Sequence, residues 1–234
     1  MDYQPSDSRL ADSPDVRIGE SSRATFITRT YLHLFGAIIA FVLIELYLFR
    51  SGLAAPIAQS MLSVSWLLVL GGFIVVSWIA SRAAHTAKSL AAQYAALAAF
   101  VVAEALIFVP LLFIAFYKVP GAISSAATIT LIGFAGLTAV AVLSRKDFSF
   151  LGGMLKWAFV VALVGIVAAV LFGFELGTWF SVGMVALAGG AILYDTSNIL
   201  RHFPEDRYVG AALELFASVA LMFWYVLRIF LSRD

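Results

Sequence analysis

Four acidic side chains, Glu45, Glu104, Asp195 and Glu214, interrupt long apolar runs of this 234-residue chain. A carboxylate in a low-dielectric medium is expensive, so it pairs, shares a proton or holds a cation. Asp195 stands in AILYDTSNILRHF, with Ser197 and Asn198 close by and Arg201 and His202 just beyond. Glu214 and Ser218 stand at i, i+4 in the next run, on one helical face. A short turn, RHFPEDR, joins the two runs. Counted from Pro204, Asp195 is nine residues back and Glu214 ten forward, so antiparallel neighbours bring both acids to nearly one depth. Two carboxylates there cannot both ionise cheaply and would share a proton, making a pH sensor, a site for a hard cation such as Ca²⁺, or both. The competing assignment is a structural salt bridge from Asp195 to Arg201 or Arg207.

The other two acids differ in depth. Glu104 lies six residues before Pro110. A proline in mid-span frees a carbonyl and kinks the helix, a feature of helices that line polar cavities. Glu45, one turn from the end of its run and near Arg50, reads as solvated or paired at the interface. Other chemistries are set aside. The last apolar run has no lysine for a retinal Schiff base, and His33, His85 and His202 are far apart in sequence. Neither HExxH nor GxSxG occurs. Zero cysteines exclude disulfides and thiolate metal sites. No enzyme and no resident cofactor is expected.

The elements that position these groups must be membrane helices. Hydrophobic residues make up 62% of the chain and charged residues 12%, against about 45–50% and about 25% in soluble domains. Seven runs approach the roughly 20 apolar residues that cross a bilayer: 31–49, 62–80, 91–117, 123–143, 153–174, 178–200 and 208–231. Gly165, Ala169 and Gly173 on the fifth, and Ala186, Gly189 and Gly190 on the sixth, are small enough for close helix contact. Residues 1–29 are polar, with early acids and no apolar core of a cleavable signal, and are expected to form a cytoplasmic tail. With that tail inside, the inside segments carry eleven Lys and Arg and the outside segments four, as the positive-inside rule requires. The expectation is an all-α integral membrane protein: a seven-helix transmembrane bundle over 30–234, N-terminus cytoplasmic and C-terminus outside. The net charge of +1 implies no nucleic-acid partner.

Three strings, RKDFSFLGGML at 145–155, AILYDTSNI at 191–199 and YVGAALELFASVALMF at 208–223, with the weaker EALIFVP at 104–110, resemble the bacterial branch of the Bax inhibitor-1 family (the transmembrane Bax inhibitor motif proteins). The resemblance covers the chain from about Thr25 onward. It implies a seven-helix bundle in the bacterial inner membrane with a closable central pore and a pH-dependent Ca²⁺ leak. There, paired aspartates on spans six and seven act as sensor and gate, and a span-two arginine alternates as partner. Asp195 matches the first aspartate. Ser218 stands where the second would fall, and Ala80 near the arginine's place, with Arg82 the nearest substitute. The family's span-two acid has no counterpart near Val69. Glu214, one turn before Ser218, could supply the second carboxylate. On this reading Asp195, Glu214 and Ser218 form the gate and sensor, Asp195 and Glu214 could bind Ca²⁺, and Glu104, Arg82 and Arg201 line the path or pair with it. The serine and the FLGGML string also resemble a subgroup that includes the inner-membrane modulator of the AAA protease FtsH. That implies the alternative: a non-conducting protein that binds and restrains such a protease, with the N-tail contributing.

Overall fold

The computed structural model describes residues 14–87, 89–144 and 146–232, with side chains from Ser22 onward. All regular structure among these residues is helical: α1 (Pro14–Arg50), α2 (Ala54–Leu62), α3 (Trp66–Thr86), α4 (Leu90–Lys118), α5 (Ala122–Leu143), α6 (Leu151–Phe172), α7 (Thr178–Arg201) and α8 (Tyr208–Leu231). Seven of them, all but α2, are long and apolar enough to cross a membrane, α1 from Ser22. In lipid a spanning segment must satisfy its backbone internally, and the helix does so. Ends are set locally. Ser89 accepts the Ala92 amide to start α4, and Gly173 at φ 72° stops α6 in the left-handed conformation. Gly173 is therefore a helix terminator and not part of a contact stripe.

α8 is the axis. Its most apolar stretch is 72% buried, against 11% for α3 and for α6. It packs against α7, α1, α5, α4 and α3, while α3 rests mainly on α4 and meets α6 only narrowly. Aromatic rings fill the centre: Phe108 lies edge-on to Phe41 at 5.2 Å and to Trp224 at 5.0 Å. Close approach is set by small residues on α7. A Cβ at Gly189 would stand 3.2 Å from Leu137, and one at Gly190 3.2 Å from Leu155.

Three boundaries differ from the apolar pattern. α2 occupies the break after the first run, because AAPIAQSML can bury Ala54 and Ala58 beneath Leu48 and Val109. The second span starts at Trp66 and continues to Thr86, which puts Arg82 inside α3 and not in a loop. α1 is helical from Pro14, well before its apolar run. Residues 1–13 of the expected tail lie outside the described residues. The described part is tied down: the Arg23 guanidinium donates to the Phe203 carbonyl at 2.7 Å and the Arg201 carbonyl at 3.4 Å, and lies 3.4 Å from Glu205. A cation thereby caps the carbonyl end of α7.

Candidate functional site

The α7–α8 hairpin brings Asp195 to Ser218. Both are buried, at 7% and 8% exposure, and the Ser218 hydroxyl donates to Asp195 Oδ2 at 2.6 Å. That length is typical of a hydroxyl donating to a carboxylate. The residues that allow it are small or snug: Ala188, Ala191, Ala211 and Ala212 are buried, and Ile192 and Leu215 are fully enclosed. The expected pairing at equal counts from Pro204 is displaced by a turn. Both His202 and Phe203 amides bond the Asn198 carbonyl, closing α7 at Arg201, and the chain reverses only beyond it, between Pro204 and Arg207. The hairpin therefore centres two residues later, and Ser218, not Glu214, faces Asp195.

Glu214 turns instead to α3. His85 Nε2 lies 2.9 Å from Glu214 Oε1, and His85 Nδ1 is 2.7 Å from the Ser81 carbonyl. With Nδ1 committed as donor, the Nε2 contact is an ion pair only in the doubly protonated ring, and it is a close approach of charges without the alignment of a hydrogen bond. The approach is allowed by Gly210, where a Cβ would stand 3.3 Å from the Ala84 carbonyl. Asp195 and Glu214 thus each have a direct partner other than the other acid, while both face the same cavity. The arginines go elsewhere too. Arg82 is exposed, its guanidinium 5.4 Å from the Trp78 ring centre, Arg201 donates to the Lys146 carbonyl at 3.2 Å, and Arg207 donates to the Ala87 carbonyl at 2.6 Å.

Glu104, Lys156, Asp195, Glu214, Ser218 and Arg228 all line one cavity of about 830 Å³, partly open, with walls from α3, α4, α6, α7 and α8. Glu214 and Arg228 are 14 residues apart on α8, a rise of about 21 Å and so most of a bilayer's apolar thickness. Trp66 and Trp224 stack at 5.9 Å on its wall. Ca²⁺ takes about six to eight oxygen ligands. Among the described residues no group of three or more His, Asp or Glu is gathered to hold a metal. Asp195 and Glu214, each engaged separately, do not form such a donor set.

Two features escaped sequence reasoning. The first is a staple between motifs: Asp147 accepts the Ser149 amide at 2.9 Å and the Ser197 hydroxyl at 3.3 Å, Ser197 accepts the Phe148 amide at 2.9 Å, and His202 lies 3.5 Å away. The Ser149 amide foremost, with His202 and Ser197, holds the Asp147 carboxyl below its ordinary range. The D-x-S spacing was its only signal, an Asx turn. The second is Glu45, which is buried at 7% exposure, with neither carboxyl oxygen partnered among the described residues.

Over residues 23–234 the chain matches the family described as "Inhibitor of apoptosis-promoting Bax1". It is 42% identical over 94 residues to "Modulator of FtsH protease YccA" of Escherichia coli (strain K12), covering 39% of this chain and 42% of that protein. The same identity and coverage hold for "Inner membrane protein YccA" of a second Escherichia coli strain. It is 36% identical over 93 residues to "BI1-like protein" of Arabidopsis thaliana, covering 38% of this chain and 36% of that one. The matched stretches therefore span less than half the length of each of these relatives.

Proposed function

The chain belongs to the Bax inhibitor-1 family, and from that premise we propose that it is a non-conducting modulator of an FtsH-type AAA protease in the bacterial inner membrane. The observation that carries this is the Asp195–Ser218 hydrogen bond. Where the family resemblance calls for a second aspartate, a hydroxyl donates to the Asp195 carboxyl directly, so the group in contact with it on α8 is a hydrogen-bond donor and not a second acid. Two relatives named for protease modulation and for the inner membrane point the same way. With the N-terminus in the cytoplasm, Arg23 fastens the N-terminal helix to the α7–α8 turn on the side from which an AAA ring pulls. The test is the half-life of a membrane substrate of the host's FtsH, with and without this protein, beside co-purification of the two. Slower degradation and recovery of the protease are expected. An unchanged half-life with no recovered protease refutes the reading. Deleting residues 2–13 leaves the Arg23 clamp in place and asks separately what the tail contributes.

A second reading, a pH-sensitive Ca²⁺ leak channel gated by Asp195, draws on the long cavity and its three carboxylates, Glu104, Asp195 and Glu214. Ca²⁺ flux into liposomes at about pH 6 and about pH 8, beside Asp195→Asn, tests it. A pH-dependent leak altered by the substitution favours the channel. Flux equal to that of empty liposomes, from folded protein, removes it.

A further inference from the structure

A second cavity, of about 770 Å³, lies between α1, α4, α5 and α8, apart from the Asp195 site. The face of α1 that meets the core is Leu34, Ala37, Phe41, position 45 and Leu48, all buried, at the three- and four-residue spacing of a helix stripe. At position 45 the sequence puts glutamate. Glu45 lines the cavity, and both of its carboxyl oxygens are buried without a hydrogen-bond partner among the described residues. Across the cavity on α5, Thr130 is 2% exposed, and its hydroxyl is likewise buried and unpartnered.

Apart from Ser124, whose hydroxyl donates to the Gly121 carbonyl, the rest of the wall is apolar, with Phe41, Phe49, Phe116, Phe216 and Phe223 prominent. A buried carboxyl without a partner is costly in either form, for want of a counter-charge when ionised and of hydrogen bonds when protonated, and a position on a core stripe does not need to bear that cost. The donor set narrows what completes it. One carboxylate and one hydroxyl fall short of the roughly six oxygens a hard divalent cation takes. An ammonium group fits: it donates to the carboxylate, and aromatic faces attract it. The volume and the phenyl rings suit an apolar body attached to that ammonium.

We propose that this cavity is a binding site for an amphiphilic primary amine, its ammonium held by Glu45 and Thr130 and its apolar body by the phenylalanine wall. Such an amine reaches the cavity either as a free hydrophobic amine or as the ethanolamine headgroup of a neighbouring phospholipid.

The experiment uses the full chain in phosphatidylcholine nanodiscs and the photoreactive probe para-benzoylbenzylamine, with para-benzoylbenzyl alcohol as its neutral twin. After irradiation, mass spectrometry locates and quantifies the label. The amine is expected to label peptides of α1, α4, α5 or α8 at the cavity, and the alcohol about tenfold less. Glu45→Gln, which keeps the shape, brings the amine down to the level of the alcohol. The comparison of the two probes on the unaltered protein stands even where the variant does not fold. Replacing half of the phosphatidylcholine by phosphatidylethanolamine then assigns the source. Lower amine labelling identifies the lipid headgroup, and unchanged labelling a free amine. Equal labelling by amine and alcohol, amine labelling of folded Glu45→Gln at the level of the unaltered protein, or label confined to other parts of the bundle overturns the proposal.

Discussion

Removing the hydroxyl at position 218 should loosen α7 from α8 by an amount that the geometry bounds. The bond is 2.6 Å long, and its acceptor is a carboxylate with both partners more than nine-tenths buried. Buried hydrogen bonds to charged groups are worth about 1.5–3 kcal/mol in soluble proteins. Polar pairs measured within membranes average about 0.6 and reach about 1.7, because the membrane-embedded unfolded state finds partners too. The short distance and the burial of both partners place this pair near the top of the membrane range. A coupling of about 1.5 kcal/mol, rather more than tenfold in the unfolding equilibrium, follows. The assay is a double-mutant cycle of Ser218→Ala and Asp195→Ala, with unfolding read by steric trapping in bicelles. Asp195→Ala is preferred to Asp195→Asn because an asparagine amide oxygen would still accept the hydroxyl. Ser218→Thr, which keeps the donor beside a cavity with room for a methyl, should behave like the parent. A coupling below about 0.3 kcal/mol, within the scatter of independent sites, would show that the contact does not join the two helices energetically.

Arg23→Ala should release the start of α1 from the end of α7. Allowing for the partial exposure of the guanidinium, its carbonyl contacts are worth about 1.4 kcal/mol, so amides of residues 22–30 and 203–207 should exchange about tenfold faster with α8 unchanged; protection equal to the parent's would count against the clamp. Gly152→Val should cost about 1–3 kcal/mol, since a Cβ there would stand 2.7 Å from the Tyr194 ring, and neutral stability would show that the two motifs are not in register. Asp147 holds its loop through the ionised form, so that contribution is complete above the ordinary aspartate pKa and is lost as pH falls through the lowered folded value, below about pH 4. The Phe148 and Ser149 amide resonances should therefore move between about pH 6 and about pH 3 in the parent and stay put in Asp147→Asn.

The spans were legible because lipid allows one solution: runs such as 208–231 and 123–143 are predominantly apolar, and their helices stop within a residue of where the runs do. Asp195 was legible for the same reason, as an acid where water is scarce. Facing was not. The partner of Asp195 depended on where the chain reverses, between Pro204 and Arg207 beyond the end of α7, which no hydropathy pattern records. Glu214 found His85, on a helix more than 120 positions away in sequence. Glu45 was misjudged from its distance along the chain to Arg50. Its place in the Leu34, Ala37, Phe41, Leu48 stripe, visible in the sequence, was the better guide. α2 was missed because nine residues, too short to span, need only Ala54 and Ala58 against a neighbour to be worth forming.

The position of α8 at the axis has a consequence for how the chain is made. Synthesis delivers helices in order, and the one on which α1, α3, α4, α5 and α7 lean is delivered last of those described. Until it emerges, Phe41, Phe100 and Phe108 have no Phe216 or Trp224 to close against, and Asp195 has no Ser218. The earlier spans wait in the bilayer with their inward faces turned to lipid or to one another, and the final helix converts a loose set of inserted hairpins into a single packed body. Quality control that samples the chain during that interval meets a membrane protein whose Asp195 carboxyl still lacks its donor from α8.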